Sequence, residues 1–80
     1  MPINTKDLDA KLEETLKKVF KIEKINLESS IEDISEWDSF THMQLIVSLQ
    51  EDFKIKISFN DAMIMTSIPI IKKKIMNYLS

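Results

Sequence analysis

Apolar residues recur in this chain at intervals of three and four, a spacing that gathers them on one face only if the backbone is helical. Leu8, Leu12, Leu16, Val19 and Phe20 keep that interval from about Thr5 to Phe20 or a little beyond, with Lys and Glu on the opposite side. Asn4 or Thr5 is placed to cap the first amides of this helix, and Asp7 complements its dipole. Asp38 is a good cap for a second helix through about Phe53, and a short helical turn follows near Phe59 to Ile64. Ser67 caps a last helix, with Pro69 in its first turn, where a missing amide hydrogen costs nothing. Ile68, Ile71, Ile75, Tyr78 and Leu79 form the stripe this helix should bury. The alternating stretch Lys54-Ile55-Lys56-Ile57 reads as an extended connector, because nothing else in the chain could pair with it as a strand. The expected fold is therefore all-α: a small four-helix bundle of three main helices and one short one, with a long loop between helices one and two. That loop, roughly Ile22 to Trp37, contains Ile25, Leu27, Ile31 and Ile34, which should pin it to the core. So long a connection in so small a domain is usually functional. Residues 1–80 read as a single domain.

Composition narrows the chemistry. There is no glycine among the 80 residues, which excludes dinucleotide fingerprints and phosphate-cradling loops, since both need glycine backbone angles. Cysteine is absent too, removing disulfides and thiolate metal sites and fitting a reducing compartment. With one histidine and no arginine, catalytic residue types are thin, and any chemistry should use a group added after translation. The net charge of −2 is unevenly spread: Glu23, Glu28, Glu32, Asp33, Glu36 and Asp38 face the single Lys24 in that stretch. This is a poor surface for nucleic acid and a suitable one for basic partners, although a solvated loop would carry the same charges. Lys72-Lys73-Lys74 reads as a solvated helix face. No apolar run reaches signal-peptide or membrane-span length, so a soluble, cytoplasmic monomer without membrane insertion is expected.

The second helix carries most of the information. At about 100° per residue, Leu45, Leu49, His42, Phe53 and Ile46 fall on a core-facing side. Thr41, Gln44, Ser48, Glu51 and Asp52 form a polar sector, while Phe40, Met43 and Val47 make a second apolar stripe. Either a neighbouring helix or the loop covers that stripe, or it is a docking surface of adaptable Phe and Met contacts. Ser39 stands at the first helical position between the two stripes. Most serines at helix starts are caps, but Asp38 is the better cap here and leaves the Ser39 hydroxyl free to point outward. A phosphodiester at that place would meet the helix dipole and unsatisfied amides. No histidine or lysine stands at a spacing that would activate Ser39 as a nucleophile, so it is better described as an acceptor. An enzyme centred on Ser39 and His42 is disfavoured, because His42 points into the core stripe and no carboxylate is placed to orient it.

Asp38-Ser39-Phe40 resembles the Asp-Ser-Leu signature of acyl carrier proteins. The following Met43-Gln44-Leu45-Ile46-Val47-Ser48-Leu49-Gln50-Glu51-Asp52-Phe53 is similar to that family's second helix, and Ile57-Ser58-Phe59-Asn60-Asp61-Ala62 to the entry into its third. Thr66-Ser67-Ile68 resembles the start of the fourth. The resemblance implies a non-enzymatic carrier with 4'-phosphopantetheine on Ser39, moved from coenzyme A by a phosphopantetheinyl transferase whose magnesium Asp38 helps to engage. It implies no resident metal, and partners that load and transfer acyl groups. Trp37, Phe40, Met43, Val47 and Glu51 become candidate partner contacts, with Trp37 alternatively a core anchor for the loop. His42, Leu45, Ile46 and Leu49 become candidates to line an acyl pocket, with His42 alternatively a partly buried structural histidine with a hydrogen-bond partner. The remaining readings are an aminoacyl or peptidyl carrier and an unmodified helical interaction module. Trp37 replaces a commonly small residue, Phe40 a leucine and Ser58 a proline, and Gln44 and Gln50 stand where carriers of fatty acid synthesis are often acidic. The Trp37-Asp38-Ser39 motif and the gathering of the second helix's acids at Glu51 and Asp52 resemble specialised, free-standing carriers. They imply a dedicated pathway, such as secondary metabolite or surface-glycan acylation, rather than general fatty acid biosynthesis.

Overall fold

A computed structural model describes residues 5–79. It contains four helices, α1 (Thr5–Phe20), α2 (Ser39–Phe53), α3 (Phe59–Ile64) and α4 (Ile68–Leu79), joined by a long α1–α2 loop and short connections. The all-α four-helix architecture expected from the spacing is present. The cap expected from Asn4 or the Thr5 side chain lies outside what is described. The caps expected from Asp38 and Ser67 fall where the sequence places them, and Ser58 adds one that was not expected. Asp38 accepts from the Thr41 amide, Ser58 from the Asp61 amide, and Ser67 from the Ile70 amide at 3.3 Å.

The helices end where the spacing places them, but the conformation that closes α1 and α2 was not legible. Without glycine, α1 and α2 stop on lysines in the left-handed region, Lys21 at φ 57° and Lys54 at φ 54°. A residue with a Cβ costs roughly 1–2 kcal/mol there. Each reversal lets backbone amides close on the last turn: Lys54 bonds back to Gln50, and Ile22 donates to the Lys17 carbonyl at 3.2 Å.

Leu8, Leu12, Leu16 and Phe20 of α1 meet Leu45, Leu49 and Phe53 of α2 and Ile68, Ile71 and Ile75 of α4 in one buried cluster. Met65 and Ile57 complete it from the connections, and Ile34 and Trp37 from the loop. Tyr78 and Leu79, expected in the buried stripe, are only partly covered. Of the loop residues expected to pin it, Ile34 is buried, whereas Ile25, Leu27 and Ile31 are half-buried against the cluster. The loop is also tied across its middle. Ile31 donates to the Thr66 carbonyl at 2.8 Å and Ile68 donates to Ser29 at 2.9 Å. This bridge between Ser30 and Ser67 is the one β-type pairing among the described residues. The Lys54 to Ile57 segment is indeed an extended connector. In place of a partner strand, the Gln50 side chain accepts from the Ile57 amide at 2.8 Å.

Asp52 fastens α2 to α1. The buried Thr15 hydroxyl donates to its carboxylate and the Lys18 ammonium lies 3.2 Å away. Both hold its carboxyl below the usual range, the Thr15 hydrogen bond most strongly, against the opposing effect of desolvation. A carboxyl depressed on folding contributes stability that is complete above its unfolded pKa and is lost as pH falls through the folded value. Asp52→Asn should therefore lower stability at neutral pH by about 1 kcal/mol. In urea melts repeated from neutral to acid pH, the variant should lose less stability than wild type below the ordinary carboxylate range.

Candidate functional site

The turn that opens α2 is built from both sides of Ser39. Asp38 is extended at φ −111° and ψ −173°; its side chain accepts from the Thr41 amide at 2.8 Å and its carbonyl from the His42 amide at 2.8 Å. The Thr41 amide, followed by the Thr41 hydroxyl, holds the Asp38 carboxyl below the usual range, so it is ionised at neutral pH. With Asp38 engaged in capping, Ser39 begins the helix exposed.

Trp37, directly before this turn, points inward. It is 4% exposed, and its ring lies 5.3 Å from that of Phe20. The partner contact considered for Trp37 is therefore replaced by the core-anchor role. An indole buried this deeply needs a partner for its N–H, and His42 Nδ1 accepts from it at 2.9 Å. His42 Nε2 lies 2.7 Å from the Ala62 carbonyl on α3. Both ring nitrogens are thus engaged away from Ser39, and His42 is not placed as its base. The partners of this bridge were not identified from sequence, although a hydrogen-bonded structural histidine was one reading of His42. Its signal was a lone histidine on a core-facing side, where an imidazole needs two polar partners, close to a tryptophan with an N–H to satisfy.

The second apolar stripe of α2 is uncovered. Phe40 and Met43 are each 70% exposed and Val47 is 52% exposed, which removes the reading in which a helix or the loop covers them. Met43 and Val47 form a ridge between two grooves. One, of about 500 Å³, lies toward the end of α1, where Lys18, Val19 and Lys21 face Phe40. The other, of about 440 Å³, lies toward α3, between His42, Ile46 and Gln50 on one side and Phe59, Ala62 and Met63 on the other. Exposed Phe59, Met63 and Ile64 extend the apolar surface over α3, a contribution the second helix alone could not reveal. Glu51 is exposed near the far end of α2. Among the described residues no three His, Asp or Glu side chains are grouped to hold a metal ion.

Comparison with solved structures places this geometry. The solution NMR structure of holo acyl carrier protein from Geobacter metallireducens superposes with a TM-score of 0.80 at 34% identity, covering 90% of this chain and 84% of that one. The chain belongs to the acyl carrier protein family. No sequence model of a known family matches it, and neither does any curated protein sequence. Its function is to carry acyl groups as thioesters, and it is a carrier rather than an enzyme.

The four residues expected to line an acyl pocket divide across the α2–α3 groove. His42 and Ile46 line the groove. Leu45 and Leu49 do not: both are fully buried in the core, on the side of α2 that meets α1. Residues one position apart differ by about 100° around the axis, so Leu45 and Ile46 serve different neighbours. The same division predicts the energetics of the turn. Trp37→Ala should cost roughly 3–5 kcal/mol in urea unfolding. Phe40→Ala, removing a larger exposed surface, should stay within about 0.5 kcal/mol of wild type.

Proposed function

We propose that Ser39 is the residue that bears 4'-phosphopantetheine. The observation that carries this reading is an exposed serine at the first position of α2, released from capping by Asp38, within an Asp-Ser-Phe sequence of an acyl carrier. In the transfer, the Ser39 hydroxyl oxygen bonds to the β-phosphorus of coenzyme A. The bond to the adenosine bisphosphate leaving group breaks, and the hydroxyl proton is lost. The phosphodiester so formed is an anion at a helix N-terminus, where the dipole and the remaining first-turn amides favour it. Ionised Asp38 fits the magnesium-assisted encounter with a phosphopantetheinyl transferase, the ion belonging to that complex. The bound arm supplies the thiol that holds the acyl group.

The surface around Ser39 suits delivery to other proteins. Glu32, Asp33, Glu36 and Asp38 are exposed on the approach and act at long range on basic partner surfaces. Phe40, Met43 and Val47 supply the short-range apolar contact, with Glu51 at its far edge. Loading and transferring enzymes that use coenzyme A thioesters fit a cytoplasmic carrier. Ser39→Ala should leave the helical fold intact, since Asp38 retains the cap, and should abolish the mass gained on incubation with coenzyme A and a broad transferase. A mass gain in the alanine variant would remove Ser39 from this role.

The acids of α2 gather at its end, as Glu51 and Asp52, while Gln44 and Ser48 occupy its middle. That pattern favours a dedicated pathway over general fatty acid synthesis. Malonyl-loaded holo protein offered to a complete fatty acid synthase set should be elongated at least tenfold less efficiently than that set's own carrier, a difference of about 1.4 kcal/mol in the transition state. Equal elongation would leave a general fatty-acid role.

A further inference from the structure

His42 joins two regions that the carrier function uses separately. An indole N–H only donates, so His42 Nδ1, which Trp37 Nε1 approaches at 2.9 Å, must present a lone pair. The ring proton of the neutral imidazole is then on Nε2, which donates to the Ala62 carbonyl at 2.7 Å. The protein thus selects one tautomer through both ring nitrogens. On one side of the bridge, Trp37 is the buried anchor two residues ahead of Ser39, packed on Phe20 of α1. On the other, Ala62 sits within α3, the far wall of the α2–α3 groove.

α3 depends on such ties. It contains no buried residue of its own and lies between the buried Ile57 and Met65. From α4, the Tyr78 hydroxyl donates to Asp61 and Lys74 pairs with Asp61 at 3.1 Å. From α2, the hydrogen bond to α3 among the described residues is the one from His42. Movement of α3 away from α2 would break it and release the imidazole that holds the Trp37 N–H.

We infer that His42 is a positioning residue, a single-tautomer strut that ties the width of the α2–α3 groove to the acceptor turn through Trp37. Its significance for delivery rests on the reading of Ser39 as the attachment residue and of this groove as the acyl site. Occupation of the groove is then communicated to the turn that carries the arm, through two hydrogen bonds and one buried indole.

The chain contains one histidine and one tryptophan, so both partners can be observed without ambiguity. In the unmodified protein at neutral pH, nitrogen NMR of the imidazole should show a protonated Nε2 and a bare Nδ1, with Nδ1 hydrogen-bonded to the Trp37 N–H. His42→Gln keeps an oxygen to accept from Trp37 and an amide to donate to Ala62, whereas His42→Leu keeps neither. Hydrogen exchange of the Trp37 indole and of the Ala62 to Met65 amides should rise about tenfold in the leucine variant and return close to wild type in the glutamine variant. Trp37→Phe, which removes only the donor, should keep Nε2 protonated toward the Ala62 carbonyl while the Nδ1 resonance shifts to that of an unbonded lone pair, and it serves if the leucine variant does not fold. In holo protein loaded with an octanoyl group, thioester hydrolysis should be several-fold faster for His42→Leu and near wild type for His42→Gln. An Nδ1-protonated ring overturns the strut, as does unchanged α3 exchange in His42→Leu or an Nδ1 resonance left unchanged in Trp37→Phe. The unmodified protein decides these points whether or not Ser39 accepts the arm, so failure of the attachment reading is seen separately, by intact mass.

Discussion

The turn that presents Ser39 depends on the burial of Trp37. A long loop without regular structure must be held in one conformation, at about 1–2 kcal/mol of backbone entropy per ordered residue. Little of the α1–α2 loop is deeply buried apart from Ile34 and Trp37. Trp37 supplies the larger apolar surface at the point where the loop becomes helix, and its contact with Phe20 fixes that point against the end of α1. The two backbone hydrogen bonds between the loop and the start of α4 hold the middle. Because the turn is anchored from within, Ser39 can be exposed without being disordered by its own loop.

From that anchor α2 meets three environments at once. Leu45, Leu49 and Phe53 bind it to the rest of the bundle, and Thr15 and Lys18 fasten its far end through Asp52. Phe40, Met43 and Val47 form a bare ridge, and His42, Ile46 and Gln50 line the groove against α3. On the proposed reading these surfaces have different tasks: one maintains the fold, one meets partners, and one receives cargo. The short α3 suits the third task because polar ties and flanking buried residues hold it, rather than a buried face of its own.

Charge is divided as the contacts are. Acids lie on the loop before Ser39, whereas Lys18 and Lys21 border the groove on the α1 side of the ridge. On the proposed reading an approaching enzyme would meet acidic, apolar and basic regions, an arrangement that favours one orientation of docking over others. Exposed apolar groups at the centre supply contact once that orientation is reached.

The sequence by itself determined the helices, their caps and the kinship. Apolar spacing, capping residues and the Asp-Ser-Phe turn are local, and each acts within a few bonds of the backbone it organises. The exposed position of Ser39 followed from the same local reasoning, since Asp38 could be recognised as the cap. Tertiary structure decided which neighbour each face met. The period of α2 grouped His42, Leu45, Ile46 and Leu49 on one side, but packing sent Leu45 and Leu49 into the core and left His42 and Ile46 on the groove. It turned Trp37 inward and left Phe40 outside, a choice between adjacent aromatics that depends on Phe20, nearly the whole loop away in sequence. The left-handed lysines at the ends of α1 and α2 were likewise unmarked, because in a chain without glycine any residue at that position must accept the strain. Local sequence sets the direction of each side chain about its helix, whereas its burial depends on surfaces supplied by distant segments.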